Sequence, residues 1–242
     1  MKKILYSVAL AACCMGTMTS CSDFLDASNK SNVTAKQSFA TKEGLNNLVN
    51  NAYQHLQNVY AAPLFTSCFS AGTDMYADAR NKMNEALNTY ETLTPENTDI
   101  KNLYTYLYSG IRAANSVSYY AQTAQVDEKT KGQLVGEARV LAAYEYYLLV
   151  NNFGGVPIMK DFLTTADTGY PKSSAADVYA YIISELEDVI SKNVLQASTA
   201  TKGGGRISQE TAKAILAKTY LSAAWDLNKQ EYFSKAATLA DE

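Results

Sequence analysis

Apolar residues recur every three or four positions along most of the chain beyond residue 41, which is the spacing of amphipathic helices. The first apolar stripe follows Thr41, whose side chain can cap a helix start. A second stripe extends from near Asp99 to Ala121. A third ends at Phe153, where two glycines and a proline stop a helix. This third stripe is the most regular and consists of Val135, Ala138, Ala142, Tyr146, Leu149 and Phe153.

Three more helices are predicted in the C-terminal part of the chain. Ser174 opens a capping box of the Ser-x-x-Asp kind, so a fourth helix starts there. Ser208 caps a fifth helix, and a sixth begins near Gln230. Strand signals are scarce and are confined to residues 156–159 and 89–93. The pattern therefore predicts an all-α protein.

Alanines and tyrosines share helical spacing along these stripes, as packed helix pairs require, because a small residue admits a large neighbour. Solenoids of two-helix repeats, tetratricopeptide repeats among them, are built in this way. No strict repeat of the usual tetratricopeptide length is visible. We predict tetratricopeptide-like helix pairs joined by long loops. Because residues 231–242 still follow the helical pattern, without a capping glycine or a polar tail, we expect the helical array to be incomplete at this end.

The first twenty residues have the features of an export signal. Lys2 and Lys3 precede an uncharged apolar run over residues 4–16. A membrane-spanning helix needs about 20 apolar residues, so this run is too short and fits a signal peptide instead. Small residues then lead to Cys21, as in bacterial lipoproteins, whose first mature residue is a lipidated cysteine. We predict a signal peptide over residues 1–20 and a lipid on Cys21; the alternative is a plain secreted protein with a free Cys21.

The polar segment over residues 21–41 is predicted to tether a helical domain at residues 42–242 to this anchor. Each buried CH₂ of an acyl chain contributes about 0.8 kcal/mol, so two or three chains hold a protein on a membrane without a transmembrane helix. The other two N-terminal cysteines lie in the signal peptide, so acylation of Cys21 leaves Cys68 without a disulfide partner. Since Cys68 lies among apolar residues, we expect it to be buried and inert.

Composition excludes several classes of function. The 242 residues carry 21 basic and 24 acidic side chains, a net charge of −3, so no basic field attracts nucleic acid. The single histidine, His55, rules out His-rich metal sites, and no Ser-His-Asp triad can be assembled around it. We interpret His55 as a structural or solvated side chain. We predict no cofactor, no metal and no catalytic residue.

Two further polar segments are given structural interpretations. Residues 203–206 lack the lysine and hydroxyl residue of a phosphate-binding loop and are interpreted as a flexible link. Glu185, Glu187 and Asp188 are interpreted as a solvated helix face. A glycosidase that uses an unidentified pair of carboxylates is kept as the weakest alternative function.

A long polar loop over residues 71–97 is the best candidate for ligand binding, because long loops in compact domains are often functional. It carries acidic, basic and aromatic side chains outside a clear helical period. Aromatic faces stack on pyranose rings, and polar groups bond sugar hydroxyls. The candidate ligand contacts are Asp74, Tyr76, Arg80 and Tyr90.

The remaining aromatic residues are assigned mainly to packing. The chain has 18 tyrosines, and those on helices are interpreted as fillers between repeats rather than as sugar platforms. Trp225 is interpreted as an anchor at a helix end, with stacking on a ligand as the alternative. The helical tyrosines in question are Tyr104, Tyr108, Tyr144, Tyr146, Tyr147, Tyr179, Tyr181 and Tyr220.

Several segments resemble, in the same order and at similar spacing, the landmarks of one known family. They are CSDFLD at residues 21–26, GEARVLAAY at 136–144 with the exit FGGVP at 153–157, PKSS at 171–174, and GRIS at 205–208 followed by AKTYL at 217–221. Each motif alone is weak, but the ordered set is specific. It is similar to the SusD/RagB family of Bacteroidetes outer-membrane lipoproteins.

The resemblance implies a lipid-anchored protein of the outer membrane that faces the cell exterior. Such proteins bind an oligosaccharide or another nutrient without catalysis and pass it to a TonB-dependent outer-membrane barrel of the SusC-like kind. Residues 42–242 resemble the N-terminal half of family members, whose helical repeats mainly contact the barrel. The alternative is a helical-repeat scaffold lipoprotein that binds another protein and no glycan.

Overall fold

Helices provide most of the regular structure of the protein. The computed structural model describes residues 34–61, 63–76, 85–165, 169–198 and 205–241; Cys21 and Arg80 lie outside these ranges. The all-α prediction is confirmed, and each predicted long helix is present. The helices are α1 Ala35–Ser38, α2 Lys42–Tyr60, α3 Leu64–Phe69, α4 Glu85–Thr89, α5 Thr98–Ala121, α6 Glu128–Phe153, α7 Ala175–Lys192, α8 Gln209–Asp226 and α9 Gln230–Asp241.

The helix ends follow the capping signals of the sequence. The side chain of Thr41 accepts a hydrogen bond from the Gly44 amide at 3.1 Å and starts α2. Ser174 and Asp177 form the predicted capping box, in which each side chain accepts a bond from the other residue's backbone amide. Helix α6 ends at Gly154, whose φ of 68° suits glycine because it has no Cβ.

Neither predicted strand is present in the described residues. Residues 156–159 form no strand. The Val156 carbonyl accepts from the Ser173 amide at 3.2 Å, and the other backbone bonds of this segment are to helix side chains. The Met159 amide donates to the Tyr146 hydroxyl at 2.7 Å, and its carbonyl accepts from the Asn115 amide at 2.9 Å. The second predicted strand begins inside α4. The short helices α1, α3 and α4 had no counterpart in the prediction, because two turns or fewer show no apolar period.

Three helix pairs follow one another and enclose a continuous core. Helix α2 packs on α5, α6 on α7, and α8 on α9, while α6 also packs on α2 and α5 and α8 on α7. The Tyr53 hydroxyl bonds Glu137, and two turns later the Tyr60 hydroxyl bonds Tyr144. Both contacts join residues 84 positions apart, so α2 and α6 run in the same direction. This succession is the predicted tetratricopeptide-like arrangement of helix pairs.

Ion pairs between α6 and α7 add to the interpretation of the acidic helix face. Arg139 of α6 bonds Glu185 at 2.7 Å and Asp188 at 2.5 Å through different nitrogens. Burial alone would lower the pKa of the Arg139 guanidinium, but these two carboxylates raise it. Glu187 accepts a hydrogen bond from the Tyr220 hydroxyl of α8. These acids lie on a partly exposed helix face, with Glu187 exposed, but they are also paired with basic and phenolic side chains of neighbouring helices. The sequence does not show those partners.

A buried ion pair fixes the chain before α8 against α2 and α6. The carboxylate of Glu137 is fully buried and bonds the Arg206 guanidinium at 2.7 Å. That guanidinium lies over the Tyr53 ring at 5.5 Å and also donates to the Asn50 side chain at 2.8 Å. The Tyr53 hydroxyl in turn accepts from the Ile207 amide at 2.7 Å. The sequence analysis interpreted Arg206 as part of a flexible link. In the structure its side chain instead holds this part of the chain on α2 and α6.

A second buried glutamate, Glu145 of α6, has no such partner. It is fully buried, and neither carboxyl oxygen has a hydrogen-bond partner among the described residues. Burial raises the pKa of the Glu145 carboxyl well above its usual value. The group occupies the space left by Gly110 of α5, where a Cβ atom would lie only 1.7 Å from a Glu145 oxygen. Glycine at position 110 is therefore required by the glutamate that faces it.

Candidate functional site

The turn after α3 carries two of the residues predicted to contact a ligand. Thr73 and Tyr76 form an isolated antiparallel bridge, in which the Tyr76 amide donates to the Thr73 carbonyl at 3.4 Å. The Thr73 hydroxyl donates to the Ser70 carbonyl at 2.8 Å and holds the start of the turn. Asp74 and Met75 form the exposed tip. We call residues 72–76 the tip turn.

Tyr90, a third predicted contact, lies directly on the tip turn. Its hydroxyl donates to the Gly72 carbonyl at 3.3 Å, although the two residues are 18 positions apart. A Cβ atom on Gly72 would lie 2.2 Å from that hydroxyl, and Gly72 itself has a φ of 75°. Tyr90 also has a positive φ, 63°, which is uncommon for a bulky residue. Such backbone strain is found preferentially at functional sites.

The aromatic side chains here remain accessible. Tyr90 is 56% exposed and Tyr76 39% exposed, and Met75 at the tip is 89% exposed. Asp74 adds exposed carboxylate oxygens that can accept bonds from hydroxyl groups. Exposed ring faces beside hydrogen-bonding groups suit a sugar, which has apolar CH faces and polar edges. The fourth predicted residue, Arg80, lies outside the described residues, so the structure does not place it.

An aromatic row that the sequence analysis missed leads away from the tip turn. Phe65 and Phe69 of α3 stack with ring centroids 5.4 Å apart, and Tyr60 lies 5.3 Å from Phe65. The Tyr60 hydroxyl bonds that of Tyr144, whose ring stacks on Tyr147 at 6.0 Å. Tyr60 and Phe65 are partly exposed, so the row extends the aromatic surface next to the loop. The four-residue spacing of Phe65 and Phe69 was the signal that could have revealed α3.

Tyrosines deeper in the helices serve packing, as predicted. Tyr146 and Tyr179 are buried, and burial raises the pKa of both hydroxyls. The Tyr179 hydroxyl donates to Asp226 at 2.5 Å, and the Tyr108 hydroxyl donates to the Pro157 carbonyl at 2.7 Å. These hydroxyl groups join one helix to the next or to the loop after α6, so they are not available to a ligand.

Other residues singled out in the sequence have structural surroundings. Cys68 is half-buried, and burial raises the pKa of its thiol to about 11, so the thiol is protonated at neutral pH. Burial lowers the pKa of His55, which lies half-buried on α2. Trp225, at the end of α8, meets the Phe233 ring of α9 edge-on at 5.1 Å. The indole nevertheless stays 74% exposed.

The described residues offer neither a metal site nor a membrane-spanning helix. No cluster of three or more His, Cys, Asp or Glu side chains within the described ranges could hold a metal ion. None of the helices in the described part of the chain is long and apolar enough to cross a membrane.

Comparison with known proteins gives a single family. Residues 23–221 match the model of SusD-like proteins, described as starch-binding and associating with the outer membrane. The chain is 28% identical to a SusD-like protein of Bacteroides ovatus over 134 residues, which are 54% of this chain and 24% of that protein. It is also 28% identical to the SusD-like protein P38 of Formosa agariphila over 190 residues, 76% of this chain and 36% of that protein.

A solved structure agrees with these relatives. The surface glycan-binding protein A from Bacteroides uniformis superposes with a TM-score of 0.68 at 26% identity, covering 81% of this chain and 44% of that protein. The chain thus spans about a quarter to a third of the length of the curated relatives it matches. The family description and the names of these relatives refer to no enzymatic activity.

Proposed function

Because this chain belongs to the SusD-like family of starch-binding proteins that associate with the outer membrane, we propose that it is a cell-surface lipoprotein that captures oligosaccharide for a TonB-dependent barrel. The family description supports the proposal of carbohydrate binding and of association with the outer membrane. The ligand contacts, the lipid anchor, the outward orientation and the SusC-like partner are our proposals for this chain.

The proposed ligand site rests on one observation: two accessible tyrosine rings and a carboxylate lie close together. One ring and the carboxylate belong to the tip turn, and the second ring belongs to the tyrosine that packs on it. Tyr76 and Tyr90 supply the rings, and Asp74 supplies the acceptor. The hydrogen bond from Tyr90 to Gly72 fixes one ring before a ligand arrives, which reduces the entropy lost on binding. Arg80 belongs to the same proposed site because it lies in the same loop, four residues beyond Tyr76.

Calorimetric titration with a starch-type oligosaccharide such as maltoheptaose, and with a β-glucan oligosaccharide, tests this site. We expect Tyr76→Ala and Tyr90→Ala each to weaken binding about tenfold, because the loss of one stacking ring costs on the order of 1.4 kcal/mol. Tyr90→Phe keeps the ring and should retain most of the affinity. A site elsewhere is indicated if both alanine variants bind as tightly as the parent protein.

Tyr106→Ala is the matched control. Tyr106 is 36% exposed on α5, almost as exposed as Tyr76 at 39%, and it has no aromatic partner among the described residues. Removing it deletes an equivalent amount of exposed ring without touching the loop. If Tyr106→Ala weakens binding as much as Tyr76→Ala, the loss reflects general surface stickiness and not a site at the tip turn.

The proposed anchor is tested separately from the ligand site. Expression with a radioactive or clickable palmitate precursor should label the wild type and leave Cys21→Ser unlabelled, with the variant recovered outside the membrane fraction. Cys68→Ser is the control, since the thiol of Cys68 is protonated and half-buried. Equal labelling of wild type and Cys21→Ser contradicts the anchor.

A protein-binding scaffold is the second function, and an apolar groove between α8 and α9 favours it. The groove has a volume of about 630 Å³ and is lined mainly by alanines, leucines and Phe233, together with the charged side chains of Glu210, Lys213 and Lys218. It continues past Lys218 into a smaller apolar cavity beside Tyr144. Large exposed apolar surfaces mark protein contacts as well as ligand grooves. Two measurements together distinguish the functions. A scaffold that holds the SusC-like barrel through this face loses it on co-purification when Leu221→Glu is introduced, and its wild type binds neither maltoheptaose nor the β-glucan oligosaccharide. Binding of either oligosaccharide by the wild type excludes a scaffold that binds no glycan.

A further inference from the structure

A polar and aromatic cavity of about 340 Å³ lies between α2, α5 and the loop after α6. None of its lining residues belongs to the tip turn or to the aromatic row. Its polar lining includes Asn51 and His55 from α2 and Ser109 and Arg112 from α5, and its lining contains neither aspartate nor glutamate. Its volume is at the lower end of the range of small-molecule sites in proteins.

Aromatic rings close one side of this cavity. Phe162 of the loop after α6 lies 5.8 Å from Tyr120 of α5, and Tyr120 lies 4.8 Å from Phe39. The loop is held on α5 by the bond from the Asn115 side chain to the Met159 carbonyl. The rings are thus positioned by packing and hydrogen bonding in the absence of a ligand. A ring face fixed in this way can stack on the CH face of a pyranose.

Arg112 places a positive charge on this cavity. Its guanidinium lies 5.3 Å from the centre of the Phe162 ring and makes one long bond, 3.5 Å, to the Leu163 carbonyl. No ion pair involves Arg112 within the described ranges. Asp161 lines the adjoining cavity that Arg112 also borders, and its negative charge acts on Tyr181. A planar guanidinium with open donors recognises carboxylate and sulfate groups through paired hydrogen bonds.

His55 borders the same cavity. Its Nδ1 is shielded from solvent and has no hydrogen-bond partner among the described residues, so this atom is not the one that faces the cavity. The other ring nitrogen of an imidazole can donate or accept a hydrogen bond and is the group that can meet a ligand hydroxyl.

We propose that this cavity binds an anionic sugar residue, with the carboxylate or sulfate group on Arg112, the pyranose face on Phe162 and a hydroxyl on His55. This site is separate from the proposed oligosaccharide site at the tip turn and does not depend on it. An oligosaccharide that carries uronate or sulfate groups would therefore have a second point of attachment on the protein.

Titration with three oligosaccharides of equal length tests the proposal: an oligogalacturonate, a sulfated galactan fragment and its neutral counterpart. We expect the anionic sugars to bind at least tenfold more tightly than the neutral one, with an affinity that falls as salt is added. The two anionic ligands distinguish a carboxylate site from a sulfate site. Equal binding of charged and neutral sugars, or no binding of either anion, overturns the proposal.

Arg112→Gln removes the charge, and Lys101→Gln is the matched control. Lys101 is an exposed cation on the same helix, 11 residues and so about 16 Å from Arg112 along the axis. We expect Arg112→Gln to lose at least tenfold in affinity for the anionic sugar and Lys101→Gln to lose none. Equal losses mean general electrostatic attraction. An acidic peptide that binds as tightly as the sugar also contradicts the proposal.

Two further variants show whether the cavity itself binds the anionic sugar and whether this site is separate from the tip turn. Ser109→Phe fills the cavity without a change in charge and should abolish binding of the anionic sugar. Tyr90→Ala should leave that binding intact, while Arg112→Gln should leave maltoheptaose binding intact. If Tyr90→Ala abolishes binding of both ligands, there is one site and the second cavity is not used.

Discussion

Replacing Glu145 by methionine should stabilise the protein above about pH 5, by an amount that grows as the pH rises. Glu145 is fully buried, and neither of its carboxyl oxygens has a partner among the described residues. Burial raises the pKa of this carboxyl well above its ordinary value of 4.5, so the folded protein holds the proton at pH values where the unfolded chain has released it. Methionine has a similar length and no group to ionise.

The sign and the size follow from proton linkage. Below pH 4.5 both states are protonated, and Glu145 contributes no pH dependence. Above that value the unfolded state binds one proton fewer, so the free energy of unfolding falls by about 1.4 kcal/mol per pH unit until the folded-state pKa is reached. If the carboxyl stays neutral throughout, the accumulated loss between about pH 5 and pH 8 is about 4 kcal/mol.

Urea unfolding at several pH values between about pH 5 and pH 8 measures this difference, because other titrating groups cancel between wild type and variant. We expect the unfolding free energy of Glu145→Met to exceed that of wild type increasingly with pH. Glu96→Gln, which removes an exposed carboxylate, is the control and should follow the wild-type profile. Parallel profiles for wild type and Glu145→Met would show that Glu145 is ionised in the folded protein and would refute the reasoning.

Three further changes probe the packing of the helix pairs, each by urea unfolding. Arg206→Met should cost about 3–5 kcal/mol, because it leaves the buried Glu137 carboxylate unpaired, whereas Arg206→Met with Glu137→Leu should recover most of that loss; an additive double variant would contradict a coupled pair. Gly110→Ala should destabilise by about 1–3 kcal/mol, since its Cβ would overlap Glu145, and adding Glu145→Ala should relieve the overlap; equal losses with and without Glu145 would contradict this. Ser174→Ala should cost about 1 kcal/mol through loss of the capping box, and an unchanged midpoint would mean that the cap is dispensable.

The long helices could be predicted from sequence because their signals are local. Thr41, Ser174 and Ser208 lie directly before the helices that they cap, and each cap bond reaches only three residues along the chain. The two strand predictions failed for the opposite reason. A strand needs a partner strand, and the backbone of residues 156–159 bonds mainly to helix side chains.

Pairs of residues that are distant in the sequence could not be predicted either, because a local pattern does not identify a distant partner. The bond between Arg139 and Glu185 spans 46 positions, and the one between Tyr60 and Tyr144 spans 84, so neither has a signature at helical spacing. In the candidate site, residue types and loop length indicated Tyr76 and Tyr90. Their juxtaposition depends on Gly72, which lets the Tyr90 ring approach the turn, and a single sequence does not pair two such positions.

The hydrogen-bond partners of the tyrosine hydroxyls differ between the helical scaffold and the proposed binding surface at the tip turn. On the long helices, the hydroxyls of Tyr53, Tyr179 and Tyr220 are bonded to carboxylates on other helices. Such bonds fix the helix register, and replacing Tyr53 by phenylalanine would leave the buried Glu137 carboxylate short of a donor. Tyr90 bonds only a backbone carbonyl in its own loop and keeps more than half of its surface exposed. The residues of the tip turn, where we propose that sugar binds, can therefore change without loss of the bonds between helix pairs.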